Sequence, residues 1–113
     1  FCPGKNFEGT GPFGPWMVTP EEFGDPYQQT LTTRLNGKEM QHTSIGMMDH
    51  KIEKLIEYIS TVHTLRPGDV ISTGTPSGVG SRREPPLWMK DGDIIEVDIT
   101  GIGKLVNPVK NEG

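Results

Sequence analysis

The chain has 113 residues, enough for one domain with a modest core. Its hydrophobic share is 32%, with 15 glycines and 10 prolines, and this argues for a loop-rich domain dominated by β-structure. A net charge of −4, a single cysteine and the lack of a long apolar run argue against a nucleic-acid surface, an internal disulfide, a cysteine-rich zinc site and a membrane span.

A reducing, cytoplasmic setting fits the lone Cys2. The low apolar share predicts that part of the core or an interface is completed by another chain or a missing segment. The opening Phe1-Cys2-Pro3 lacks a methionine, so a fragment or a processed chain is expected.

Residues 1–15 alternate glycine, proline and aromatics, a pattern through which no regular helix persists. They predict an irregular loop wrapped over the core by Phe7 and Phe13. Lys5 is the cation of this loop. It is either a solvated surface group or an ammonium aimed at an anionic substrate. Trp16-Met17-Val18 reads as a short strand. Thr19-Pro20-Glu21-Glu22-Phe23 reads as a short helix capped by Thr19, opened by Pro20 and stopped by Gly24.

Thr30–Leu35 alternates with period two and predicts a half-exposed strand. Asn36-Gly37 is a hairpin signal, with Lys38–His42 as the return strand. A link over 43–48 leads to a helix over 50–63, capped by Asp49. Its apolar stripe is Ile52, Leu55, Ile56 and Ile59, with Val62 as a further contact, and Lys51, Glu53, Lys54 and Glu57 face water. Met47 and Met48 read as adaptable packing. His42, His50 and His63 are scattered and read as structural or surface groups rather than metal ligands.

Leu65–Val70 gives a Pro-Gly turn, then Val70-Ile71 as a buried strand. The loop that follows, Ser72-Thr73-Gly74-Thr75-Pro76-Ser77-Gly78-Val79-Gly80, mixes glycines with hydroxyls. Glycines let backbone amides approach a ligand closely, and Thr73, Thr75 and Ser77 both donate and accept. It is either an ordinary turn or a cradle for a carboxylate or enolate oxygen. Residues 81–86 read as an exposed connection and Leu87-Trp88-Met89 as an apolar anchor. Lys90–Asp93 is a tight turn. Ile94–Ile99 is a strand with acids outward, and residues 104–109 form another strand or sheet edge. Glu96 and Asp98 share one face of their strand. They are either solvated or a carboxylate pair for a cation or for acid–base work.

Four of these stretches, in this order, resemble the fumarylacetoacetate hydrolase family: Pro3-Gly4-Lys5-Asn6-Phe7 with Gly11–Val18; the Asn36-Gly37 hairpin and its following helix; Leu65–Gly80; and Lys90–Val97 before Gly101–Leu105. The resemblance spans nearly the whole chain. It implies an α+β fold, mainly β with one main helix, in which residues 1–113 form the C-terminal half of a mixed β-sandwich or β-roll. It also implies an enzyme of 2-oxo or β-diketo acids: a hydrolase of carbon–carbon bonds in acylpyruvates, a decarboxylase, or an isomerase of related diacids. The family's Mg2+, Mn2+ or Ca2+ chelates the substrate's oxygens and stabilises enolate charge.

Carried over by position, Lys5 would hold substrate or metal-bound oxygens. Thr75 would contact the substrate, assisted by the amides of Gly74 and Gly78. The resemblance also implies a homodimer, with the Trp88–Met89 edge suited to the interface. Departures are visible. Asn6 and Glu8 replace the residues that usually follow the lysine, Thr10 is offset by one from a threonine near the metal, and the segment Gln41-His42-Thr43-Ser44 is a shortened form of the family's pattern. The metal-binding Glu-x-Glu pair and later aspartate lie upstream of the lysine motif in the family, as do the lid histidine and its acidic partner. None is in this sequence, so the isolated chain is expected to bind no divalent ion tightly and to be inactive. The rival readings are a truncated fragment without independent activity, or a protein-binding module that presents the glycine loop to a partner.

Overall fold

The turn at Asn36 and Gly37 starts the sheet. In the computed structural model, which describes residues 6–111, Asn36 has φ 51° and Gly37 φ 79°. That left-handed pair matches the twist of a tight hairpin. It joins β1 (Thr30–Leu35) to β2 (Lys38–Ser44). β3 (Ile94–Ile99) and β4 (Gly103–Pro108) complete a four-stranded sheet in the order β2-β1-β3-β4. Every pairing is antiparallel. With two short helices, α1 (Pro20–Phe23) and α2 (Ile52–Ser60), the domain is a small α+β unit. Among the described residues no helix is long and apolar enough to cross a membrane.

β1 was expected to be half-exposed but lies in the middle of the sheet. Ladders on both of its edges bury Thr32, Thr33 and Leu35. Thr32 keeps a partner there, with Oγ1 lying 2.9 Å from Nδ1 of His42. Register places Leu31, Thr33 and Leu35 on one face with Ile99, Val97 and Ile95. The other face carries Arg34, Glu96, Asp98 and Lys104. There Arg34 pairs with Asp98 at 3.5 Å, and Lys104 with Glu96 at 3.2 Å. The two carboxylates are thus each matched to a cation of a neighbouring strand.

Two turns lock the ends of β1 and β3 together. Asn36 Nδ2 donates to Asp93 Oδ1 at 2.8 Å, and Asn36 Oδ1 accepts from the Ile94 amide at 2.8 Å. Asp93 Oδ2 accepts from the Lys90 amide. These bonds, Asn36 first, hold the Asp93 carboxyl below its usual pKa.

Several local expectations are corrected. Trp16–Val18 joins no ladder; instead Trp16 Nε1 donates to the Ile102 carbonyl at 2.8 Å, and its ring rests on Gly103. Phe7 and Phe13 are exposed rather than folded over a core, as are Val62, Trp88 and Met89. Leu35 is the one buried apolar side chain among the described residues, so little surface exists for these groups to cover. Val70-Ile71 is not in the sheet of the described residues, and Val70 is exposed rather than buried. β2 continues through Thr43 and Ser44 before a single 3₁₀ turn, Ile45–Met47.

The main helix is also shorter than the apolar spacing predicts. Asp49 does not cap it; the first helical amide, Ile52 N–H, is taken at 2.9 Å by the hydroxyl of Tyr27, from a distant 3₁₀ turn (Pro26–Gln28). That hydroxyl donates in turn to Glu53 Oε2 at 2.6 Å, which lowers the Glu53 pKa and raises that of Tyr27. Ser60 and Thr61 hydroxyls bond carbonyls of the last turn, where the helix stops. Lys51 does not face water: its ammonium lies over the Tyr27 ring, 5.0 Å from the centroid, and donates to the Gly46 carbonyl. α1 agrees with its sequence signals, capped by Thr19 and opened by Pro20.

Candidate functional site

The site begins with an irregularity in β2. Thr33 pairs with Gln41, but Arg34 pairs with Glu39, so Met40 is the extra residue of a β-bulge. Its carbonyl is therefore available to a group outside the ladder. Arg83 takes it, with Nη2 donating at 2.6 Å, while Arg83 Nε donates to the Gly78 carbonyl at 3.1 Å. Gly78 presses on the same spot. It has φ +97°, and a Cβ there would lie 2.3 Å from the Met40 oxygen. Only glycine seats the loop this closely on the strand.

Beside that contact, Gln41 Nε2 donates to Thr75 Oγ1 at 3.0 Å and to the Pro76 carbonyl at 2.9 Å. The glycine loop is therefore pinned to β2 at two adjacent residues. Residues 80–82 add a 3₁₀ turn, Gly80–Arg82. The segment from Ser81 to Pro86, expected to be a plain exposed connection, supplies the clamp through Arg83.

Under the pinned loop lies a cavity of about 500 Å³. Thr73, Gly74, Thr75, Pro76 and Ser77 form one wall. Leu31 and Ile99 of the sheet, with Ile45, Met47, Met48 and Leu55, give it an apolar side. Thr43, Ser44, Asp49 and His50 bring polar groups to its rim. The cavity thus joins hydrogen-bonding groups on the loop to apolar surface on the sheet and helix, as sites for small polar ligands commonly do.

Of the residues singled out in the sequence, Thr75 and Gly74 stand in this wall, and Gly78 stands behind it as the loop's seat on β2. Lys5 lies outside the described residues. His50, read as a structural or surface group, is in the wall; His42 and His63 are not, and bond Thr32 and approach Asp69 respectively. Arg83 carried no signal of a role, and Gln41 figured only at the head of the shortened segment that leads to Thr43 and Ser44. The alternation of β2 does place Gln41 on the same face as Thr43, which would have indicated Gln41 had the bulge been legible.

The donor set does not fit a divalent metal on its own. Among the described residues no group of three or more His, Cys, Asp or Glu stands together. Asp49 is the one carboxylate on the cavity wall. Mg2+, Mn2+ and Ca2+ need a shell of about six or more oxygens, and no chemical step is assigned to a metal held by this chain.

The fold and the pocket define a class: an α+β domain in which a hydroxyl-bearing glycine loop, pinned to a sheet strand, borders a cavity of about 500 Å³. The chain belongs to the fumarylacetoacetate hydrolase family. The family description "Fumarylacetoacetate (FAA) hydrolase C-terminal" matches residues 1–110. A mitochondrial oxaloacetate tautomerase of Bos taurus is 42% identical over 106 residues, which cover 94% of this chain and 34% of that protein. The fumarylacetoacetate hydrolase of psychrophilic Exiguobacterium antarcticum superposes with a TM-score of 0.92 at 44% identity, covering 97% of this chain and 39% of that one. Maleylpyruvate hydrolase from Sphingobium sp. SYK-6, solved in complex with manganese(II) ion and pyruvate, superposes with a TM-score of 0.79 at 33% identity, over 88% of this chain and 35% of that one. This chain spans about a third of the length of the curated relatives it matches.

Proposed function

We propose that the chain is the substrate-facing C-terminal portion of an enzyme acting on 2-oxo or β-diketo acids. It supplies a hydrogen-bonding wall to a site whose metal carboxylates lie on residues outside this sequence. The observation that carries this reading is the pinned loop over the 500 Å³ cavity, where the Thr75 hydroxyl and the 73–77 backbone meet an apolar floor. A small acid with an oxo or enolate oxygen matches that division: its oxygens meet the loop, and its carbon skeleton meets Leu31, Ile99 and Leu55. Lys5 adds a cation that neutralises the acid. Hydrogen bonds from Thr75 and the loop amides stabilise the oxygen on which negative charge develops as the enolate forms. The ion brought by the upstream carboxylates, Mg2+, Mn2+ or Ca2+, would supply Lewis acidity to the same oxygens.

The near-absence of buried apolar side chains among the described residues supports the view that further strands close the sheet into the larger sandwich or roll. The exposed Leu87–Met89 edge supports pairing into a homodimer, which a monomer on size-exclusion chromatography would contradict. Tautomerisation, carbon–carbon hydrolysis and decarboxylation all pass through such an enolate, so one wall serves each.

The test is turnover of oxaloacetate by the full protein with Mn2+. Thr75→Val and Lys5→Ala are each expected to lower kcat/KM by about 100-fold while the melting temperature stays put. Unchanged kcat/KM in both variants would overturn the reading.

A further inference from the structure

The two bonds made by Gln41 fix more than the position of the loop. Pro76 contributes a carbonyl, which can only accept, so the nitrogen of the Gln41 amide must face the loop. That nitrogen has two hydrogens and two partners, Pro76 O at 2.9 Å and Thr75 Oγ1 at 3.0 Å. Thr75 Oγ1 is therefore an acceptor toward Gln41. Its own proton points elsewhere, and no acceptor among the described residues takes it. Thr75 lines the cavity, so the proton is left to a ligand.

We propose that Gln41 is a positioning residue that sets the polarity of Thr75: it holds the hydroxyl as a hydrogen-bond donor to the cavity, and so selects ligands that present an anionic oxygen, a carboxylate or enolate, at that point. The β-bulge at Met40 is what makes this geometry available. It leaves Gln41 on the cavity face while the Met40 carbonyl bonds Arg83. The selection is chemical. A ligand hydroxyl there forms only a neutral bond with Thr75, either accepting its proton or donating to the lone pair that Gln41 leaves free, whereas an anionic oxygen forms the stronger, charge-assisted one. A carboxylate or enolate accepts the proton at once.

This inference rests on Thr75 touching the ligand, and a double-mutant cycle separates the two claims. In the full protein with Mn2+, pyruvate binding is titrated by calorimetry for wild type, Thr75→Val, Gln41→Glu, Gln41→Met and the two double variants. Thr75→Val is expected to weaken pyruvate about 10-fold, the loss of one hydrogen bond to a charged group. Gln41→Glu can only accept, so it captures the Thr75 proton and is expected to weaken pyruvate by a similar factor. Gln41→Met removes both donors without adding charge and frees the hydroxyl to rotate; its expected loss is about threefold, and it carries the test if Gln41→Glu fails to fold. Each double variant is expected to lose less than the sum of its two single losses, because Gln41 acts largely through the Thr75 hydroxyl and only its bond to Pro76 is independent of it.

Unchanged binding in Thr75→Val would mean that the reading of Thr75 itself is wrong. If Thr75→Val weakens binding but both Gln41 variants bind like wild type, the reading of Thr75 stands and the role of Gln41 is overturned. Losses that add in the double variants would also overturn it, because they would assign Gln41 a structural effect independent of Thr75.

Discussion

The sheet and the 73–87 loop are built in opposite ways. β1 to β4 hold one another by backbone ladders, and their turns are locked by Asn36 and Asp93. The loop has no ladder. Three residues of the sheet and the loop itself seat it: Gln41 and the bulged Met40 on β2, and Arg83 reaching back. The scaffold therefore depends on many small, redundant terms, and the candidate site depends on a few close contacts. Single substitutions in the loop should release it without unfolding the sheet.

The largest expected effect follows from the closest contact. Gly78→Ala brings a methyl group against the Met40 carbonyl at a backbone angle that alanine avoids. It should unseat the loop by about 3 kcal/mol. Amide exchange at Arg82, Arg83 and Leu87, whose N–H groups bond Val79 and Gly80, should accelerate about 100-fold, with β1 and β3 amides unchanged. Equal acceleration in the sheet would dissolve the distinction between the regions. Arg83→Met comes next. It removes two charge-assisted bonds to carbonyls and should cost about 2 kcal/mol in the same exchange measurement.

A smaller effect lies in the sheet's locked turns. The folded pKa of Asp93 is below its unfolded value of about 3.9. Its contribution to stability is therefore complete above that value and is lost as the pH falls through the folded one. Glu53, lowered by the Tyr27 hydroxyl, acts in the same direction. Melting temperature should fall on acidification below about pH 4. Asn36→Ala, which removes the main cause of the Asp93 shift, should flatten part of that slope; an unchanged slope would show that Asn36 does not hold the carboxylate. Smallest of all is Lys104→Met. Its pair with Glu96 lies on the solvent side of the sheet, and urea denaturation should register about 0.5 kcal/mol or less.

The same contrast explains what could be read before the structure. β1, the Asn36-Gly37 turn, β3 and the Thr19 cap rest on residues close in sequence, and local pattern revealed them. Tyr27 capping α2 and Gln41 reaching Thr75 join residues 25 and 34 positions apart, and no local pattern carries them. Val70-Ile71 had the composition of a strand, but strand formation also needs an edge to pair with. The bulge at Met40 was hidden because an extra residue in a short alternating run looks like ordinary alternation. Thr75 and Gly74 were singled out because their residue types and order form a motif, and both stand in the cavity wall. The residues that hold them in place were not, because arginine and glutamine in exposed-looking positions resemble many others.

The central claim concerns one ligand and two distant side chains. A crystal structure of the full protein with Mn2+ and pyruvate tests it most directly. The account predicts the Thr75 hydroxyl within about 3 Å of a pyruvate oxygen, donating to it, with the Lys5 ammonium on the same molecule. Pyruvate bound elsewhere, or bound with Thr75 turned away and Lys5 in solvent, would contradict it.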